Sequence, residues 1–488
     1  MPNAPRRTSN ARSLRRLPGL TVGLLAALGG GIGAGLAQAQ VAPGLACFDG
    51  GAAALGSHLD PLAQPSATQQ GRVQEVDFED GLDQAETRAM IQRYEKAKHW
   101  SLKGIILTRL APTWHPSADV ILIDALKSKD KRLAALALET LVATPDQGLS
   151  WAMTPDLVDA LIETGLKQKS ELYQQRAESV LQRVFPDTEA EGRSKWKSAW
   201  RKLKKAGYEP AEWIESGEKE VNTGSSTVVE RAINLQKAGL EICFVIDGTG
   251  SMQDLINAVG ASATRIAEVL QGFAPDMRLG LVVYRDFDDV DGGCEIITPL
   301  DDKVEKVFKR VQRVFANGGG DFPEAVFQGL EQSLSVKDIG WTAEANKLVV
   351  VMGDAPPHGK DIEPAVKLAE QASQDGWVRS WSVKDARRSK KGTPTTGKRP
   401  PNLRPFVIAA IATGNAEGVN GQTAQVFQRI AQAGGGMSTQ LQVGENADAA
   451  VNDIVRSIVR MSFGNDWREP VDRFLDVYFE YQADGLYE

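Results

Sequence analysis

Asp247, Thr249 and Ser251 stand at alternate positions in the run Cys243–Met252, CFVIDGTGSM. One carboxylate and two hydroxyls separated by glycines make a set of hard oxygen donors suited to Mg²⁺. Two more aspartates occupy comparable settings. Asp321 ends the glycine run Gly318-Gly319-Gly320, and Asp354 follows the apolar run Lys347–Met352, KLVVVM. A lone glycine-aspartate turn would merely cap a helix. Three such turns, each joined to a strand or helix, predict a divalent-cation centre with Asp247, Thr249, Ser251, Asp321 and Asp354 as ligands. Mg²⁺ is the expected cofactor, with Mn²⁺ and Ca²⁺ as alternatives for the same oxygens.

The flanking pattern says how such ligands would meet. Cys243–Ile246 is a short apolar run of the kind buried on both faces of a sheet, and Leu255, Val259 and Ile266 then recur at helical spacing. From about Val228 to Gly464 strands and helices alternate. Strands are expected at Arg278–Asp286, Glu295–Pro299, Lys347–Met352, Phe406–Thr413 and Thr439–Val443. Helices are expected at Lys303–Phe315, from the glycine loop to about Leu334, and at Pro364–Gln374, Thr423–Ala433 and Ala447–Arg460. This predicts an α/β fold, a doubly wound, mostly parallel six-stranded sheet. The short Asp288–Gly293 turn makes its second and third strands an antiparallel hairpin with the third at the edge. With the first and fourth strands adjacent, all three ligand-bearing loops converge at the topological switch point, where such sheets bind ligands.

These motifs resemble the von Willebrand factor type A domain and its metal-ion-dependent adhesion site (MIDAS). The family's Asp-x-Ser-x-Ser is matched by Asp247, Thr249 and Ser251, with threonine in place of one serine and the hydroxyl kept. Its aspartate after the fourth strand corresponds to Asp354 in VVVMGDAPPH. Its central threonine corresponds to Asp321, a departure; the glycine-rich loop continuing into Asp-x-Pro-Glu is similar to a variant of bacterial and kinase-associated members. The resemblance implies a Rossmann-like sheet, an Mg²⁺ that takes an oxygen from a protein partner, and a role in adhesion or complex assembly.

Around this half of the chain the sequence predicts other parts. Residues 1–40 read as a cleaved signal peptide: Arg6, Arg7, Arg12, Arg15 and Arg16, an apolar stretch from Leu20 to Leu36, then Ala37-Gln38-Ala39. Export follows, to the periplasm, the cell surface or the medium. Leu45-Ala46-Cys47 offers a lipid anchor, the one route to a membrane, although Gly44 spoils that pattern. Residues 41–83 read as a flexible linker. Residues 84–215 are helical throughout, and Ile123-Asp124-Ala125-Leu126 recurs as Val158-Asp159-Ala160-Leu161, as Ala137–Leu141 does at Ala177–Leu181. Offsets of that size fit an all-α HEAT-like repeat domain and equally an irregular bundle. Trp196, Trp200 and Leu203 share one face of its closing helix. Residues 465–488 suggest a terminal helix docking back, and Arg387–Arg399 a basic solvated loop within the 384–404 insertion.

A net charge of −7 over 488 residues, with no interleaving of basic and aromatic residues, argues against a nucleic-acid partner. Three cysteines are too few for a disulfide framework, and four scattered histidines make no zinc pattern. There is no Gly-x-Ser-x-Gly elbow and no phosphate loop. The expected function is therefore an exported, non-enzymatic, metal-dependent protein-binding protein, with its partner held through the metal site. The alternatives are a metal-assisted hydrolase, for which His358 is the candidate base, and an assembly subunit with a purely structural metal.

Overall fold

Strand β1, Leu240–Asp247, is buried at all eight positions, and so is β4, Asn346–Gly353. Their apolar, β-branched runs have no polar face to offer solvent, so both must lie inside a parallel sheet covered on each side. The chain, a computed structural model, builds that sheet in the order β3-β2-β1-β4-β5-β6, with β7 also paired to β5. Here β2 is Met277–Tyr284, β3 Cys294–Asp301, β5 Phe406–Asn415, β6 the two-residue Gly418–Val419, and β7 Gly435–Gln442. Strands β1, β2, β4, β5 and β7 run parallel; β3 pairs antiparallel with β2 at the edge and β6 with β5. The six principal strands are those expected from the sequence, and β7 begins earlier than its apolar pattern suggested.

The structure describes residues 84–487 apart from 111–117, 213–225, 262, 291, 320–321, 376–402, 416–417, 420, 443–446 and 465–468. The expected signal peptide, the linker, Cys47, the basic stretch Arg387–Arg399 and the expected ligand Asp321 all lie outside the described residues.

Side chains of β1 alternate between two cores. Ile242, Phe244 and Ile246 enter the larger one, while Cys243 and Val245 enter the smaller. Among the described residues seventeen α-helices surround this frame. The smaller core is capped by α13 (Val326–Ser333), α14 (Ile362–Asp375) and α15 (Gly421–Ala433). On the other face lie α10 (Gln253–Ala261), α11 (Ala263–Phe273), α12 (Val304–Val311) and α16 (Ala447–Phe463). Helix α12 is shorter than the Lys303–Phe315 pattern suggested, because turns at Gln312 and Arg313 release the chain into the loop that carries Phe315.

The larger core continues without a break into the helices that precede the sheet: α1 (Gln84–Lys96), α2 (Trp100–Leu110), α3 (Asp119–Leu126), α4 (Lys131–Ala143), α5 (Asp146–Ala152), α6 (Pro155–Glu163), α7 (Glu171–Val184), α8 (Gly192–Lys205) and α9 (Ser226–Ala238). The two sequence echoes fall on α3 and α6 and on α4 and α7, and α3 packs on α6 as α4 packs on α7. Equivalent aspartates do equivalent work: Asp124 accepts from Tyr94 and Lys103, Asp159 from Trp200 and Lys204. Trp196 and Trp200 of α8 are core residues.

The last helix, α17 (Glu469–Ala483), lies on α2 and α4. Trp100 stacks on Phe474 at 5.3 Å and on Tyr478 at 6.0 Å, and Phe474 also meets Phe273 of α11 at 5.0 Å. Buried Glu139 of α4 pairs with Arg176 of α7 and accepts a 2.6 Å bond from Tyr481 of α17. Burial pushes the Glu139 carboxyl above the usual range, and the arginine and tyrosine offset part of that.

Candidate metal centre

Asp247 is the last residue of β1, where the strand leaves the sheet between β2 and β4. Its side chain is fully buried. Oδ1 accepts two bonds, from the Thr249 amide at 2.9 Å and the Thr249 hydroxyl at 2.6 Å. Oδ2 has no hydrogen-bond partner. A buried carboxylate oxygen left without a donor is costly, and burial pushes the Asp247 pKa up to about 7, the neighbouring Asp354 adding to the shift and the Thr249 bonds opposing it.

The two hydroxyls follow at once. Thr249 is buried and its Oγ1 lies 3.4 Å from the Oγ of Ser251, which is exposed at the start of the next helical turn. Asp354 follows the end of β4, half-buried, and its carbonyl accepts from Thr423 at the start of α15. The structure therefore brings together four of the five expected ligands, Asp247, Thr249, Ser251 and Asp354. Among the described residues no three His, Cys, Asp or Glu side chains cluster as a metal site. The donor set here is two carboxylates and two hydroxyls, and Asp321 lies outside the description. An all-oxygen donor set with one buried, unpartnered carboxylate oxygen fits a hard divalent cation.

Other residues hold this set in place, and the sequence pattern did not single them out. Tyr284, opposite Asp247 in the β1–β2 register, donates its hydroxyl to the Met352 carbonyl at 3.1 Å. Burial, with Asp247, Asp354 and Glu324 nearby, drives its pKa well up, so the phenol stays neutral. Arg285, also buried, donates from Nε to the Gly248 carbonyl and from Nη2 to the Phe315 carbonyl, tying the first ligand turn to the loop after α12. Asn317 closes the same junction, its amide donating to Gly248 at 3.0 Å. Gly318 and Gly319 both have positive φ, 80° and 85°. That backbone, unfavourable for other residues, lets the Gly319 amide reach Asp289 Oδ2 at 2.9 Å. In sequence Arg285 stands near the end of the expected strand Arg278–Asp286; only the tertiary fold shows it turned inward.

His358, the candidate base of the hydrolase alternative, lies 3.5 Å from Asp286 and its ring lies against Phe287 at 5.3 Å. Cys243 is a buried core thiol, and burial pushes the half-buried Cys294 thiol up to about 12.

Gly353 gives the centre a steric test. A Cβ there would overlap the Tyr284 hydroxyl and stand 3.1 Å from Asp247 Oδ2. Gly353→Ala is expected to cost about 1–3 kcal/mol of stability and to weaken cation uptake. Urea denaturation beside a calorimetric Mg²⁺ titration measures both.

Residues 241–442 match a family model described as von Willebrand factor A domain. Over 125 residues the chain is 30% identical to the alpha-protein kinase vwkA of Dictyostelium discoideum, covering 25% of this chain and 19% of that protein. Over 127 residues it is 27% identical to an ariadne-like RING finger protein of Acanthamoeba polyphaga mimivirus, covering 25% and 12%. The chain thus spans a fifth or less of the length of these relatives. Among solved structures, BatB from Bacteroides thetaiotaomicron is similar at 14% identity and a TM-score of 0.31, covering 46% of this chain and 99% of that one. The SpRpn10 VWA domain is similar at 12% identity and a TM-score of 0.29, covering 44% and 94%. The match to the von Willebrand factor A domain model thus runs from β1 to β7 and takes in the switch point between β1 and β4.

Proposed function

We propose that this chain is an exported, non-enzymatic, metal-dependent protein-binding protein whose von Willebrand factor A domain holds its partner through a MIDAS-like centre. One observation carries the reading: Asp247 Oδ2, fully buried and without a donor, beside the Thr249 and Ser251 hydroxyls and Asp354. Asp247, Thr249, Ser251, Asp321 and Asp354 would hold Mg²⁺, with Mn²⁺ or Ca²⁺ as substitutes. A bound divalent ion supplies a coordination position for a partner's oxygen. The chain's own part is to keep the donors pre-arranged: Tyr284 and Arg285 lock the strand ends, and the Thr249 bonds orient Asp247. The helical region, built of stacked helix pairs of HEAT-like character, adds a second recognition surface. Export rests on the charged-then-apolar leader and the Ala37-Gln38-Ala39 site.

The test is capture of a protein from an extracytoplasmic fraction in Mg²⁺ and again in chelator. Capture in Mg²⁺ that chelator abolishes supports the reading. Equal capture in both, or metal-dependent turnover of an ester or phosphoester, contradicts it.

Asp321 sharpens the expectation. A third carboxylate beside the ion would repel an incoming carboxylate by on the order of a few kcal/mol at an effective dielectric near 20. Asp321→Thr is therefore expected to strengthen binding of an Asp-containing peptide to the Mg²⁺-loaded chain by roughly tenfold or more. Unchanged affinity in a fluorescence-anisotropy titration would count against a role for Asp321 at the ion.

A further inference from the structure

Four large hydrophobic side chains are exposed among the described residues: Val120, Phe287, Phe315 and Phe322. The three phenylalanines all stand on loops at the carboxyl end of the sheet, around Asp247. Phe315 is 73% exposed, Phe322 49% and Phe287 39%, so none has a place in either core. Their backbones are nevertheless anchored to the ligand-bearing loops. Arg285 binds the Phe315 carbonyl while also holding the Gly248 carbonyl beside Asp247. Phe322 lies two residues before Glu324, whose amide donates to Pro356 in the loop after Asp354. Phe287 packs on His358 of that same loop. Exposed aromatic side chains on anchored loops, gathered at one pole of a domain, mark an interaction surface.

The charge around them selects the partner. Within segments 247–254, 285–293, 315–324 and 354–361, eight described residues are Asp or Glu, and Arg285 and Lys360 are the two cations. Arg285 is buried and spent on carbonyls and Glu295, and the Lys360 ammonium lies 5.7 Å over the Phe287 ring. Exposed Asp288 and Asp289 flank Phe287 on its C-terminal side. A divalent ion would cancel two of these negative charges and leave the rim acidic.

We infer that this pole docks a basic, apolar protein segment: Lys or Arg side chains meet the acidic rim, aromatic or aliphatic side chains cover Phe287, Phe315 and Phe322, and a neutral oxygen rather than a carboxylate approaches the ion. The inference rests on the proposed metal-dependent binding for its last clause alone. The acidic, phenylalanine-bearing rim stands without it. Electrostatic complementarity of this kind sets specificity and encounter rate, while the aromatic contacts carry most of the affinity.

The probe is a displayed library of random 12-residue peptides, selected on the full chain in Mg²⁺ and in chelator. The expected pool is net positive and enriched in aromatic and aliphatic residues. A selected peptide is expected to bind ~10-fold or more weakly to the variant Phe287→Ser/Phe315→Ser/Phe322→Ser and to weaken on raising salt. Calorimetric Mg²⁺ uptake should be the same in that variant as in the parent, which also shows that it is folded. Enrichment of acidic peptides, no enrichment at all, or equal binding by the serine variant overturns the inference. A basic, apolar pool that loses binding to the serine variant but ignores chelator supports the rim and contradicts the metal reading, so the two fail separately.

Discussion

Asp247→Asn is expected to stabilise the metal-free chain at pH 8 while abolishing its response to Mg²⁺. The folded-state pKa of Asp247, about 7, lies above the ordinary aspartate value of 3.8. Between those values the folded chain binds more protons at this site than the unfolded chain does. Stability therefore falls as pH rises from about 4 through about 7 and levels off above, by on the order of 4 kcal/mol from this group. The asparagine variant lacks that decline, because its amide oxygen still accepts from Thr249 and no charge is buried. Urea denaturation in chelator, at pH 5 and pH 8, should show the parent losing more stability than the variant across the interval. Saturating Mg²⁺ should restore the parent at pH 8 and leave the variant unmoved. Parallel pH curves in chelator would contradict the buried, unpaired carboxylate on which the site depends.

Phe474→Ala is expected to cost about 3–5 kcal/mol, the range for emptying a large aromatic site in a core. The ring is fully buried between Trp100 and Phe273, and it also fills the notch at Gly104, where a Cβ would come within 2.8 Å of it. Those partners belong to α2 of the helical region and to α11, which packs on the sheet, so one cavity undermines both. Chemical denaturation followed by tryptophan fluorescence and by far-UV circular dichroism should show one transition, shifted to lower denaturant by both probes. A loss confined to one probe would mean that the two regions unfold independently, against the shared core seen here.

Much of this was legible in local patterns. The unbroken apolar runs of β1 and β4 announce strands covered on both faces, and Asp247 and Asp354 follow because ligands collect at strand ends in such sheets. Residues Val228, Ala232 and Leu235 of α9 are buried at helical spacing, a signal that was present but masked by the polar stretch just before it. What local pattern cannot convey is which polar side chain turns inward. Arg285 sits in an acidic, hairpin-like run, and its inward course depends on carbonyls of Gly248 and Phe315, far away in sequence. The continuity of the larger core from α2 through α17 is likewise a matter of long-range packing, written in Trp100, Phe273 and Phe474 but in no periodicity that links them.

If a divalent cation completes the coordination of Asp247, the metal-free chain must take one up. Metal-free chain titrated with Mg²⁺ at pH 7.5 in a calorimeter is predicted to bind one ion per chain, and Asp247→Asn to bind none under the same conditions. No saturable uptake by the parent, or equal uptake by the folded variant, would contradict it.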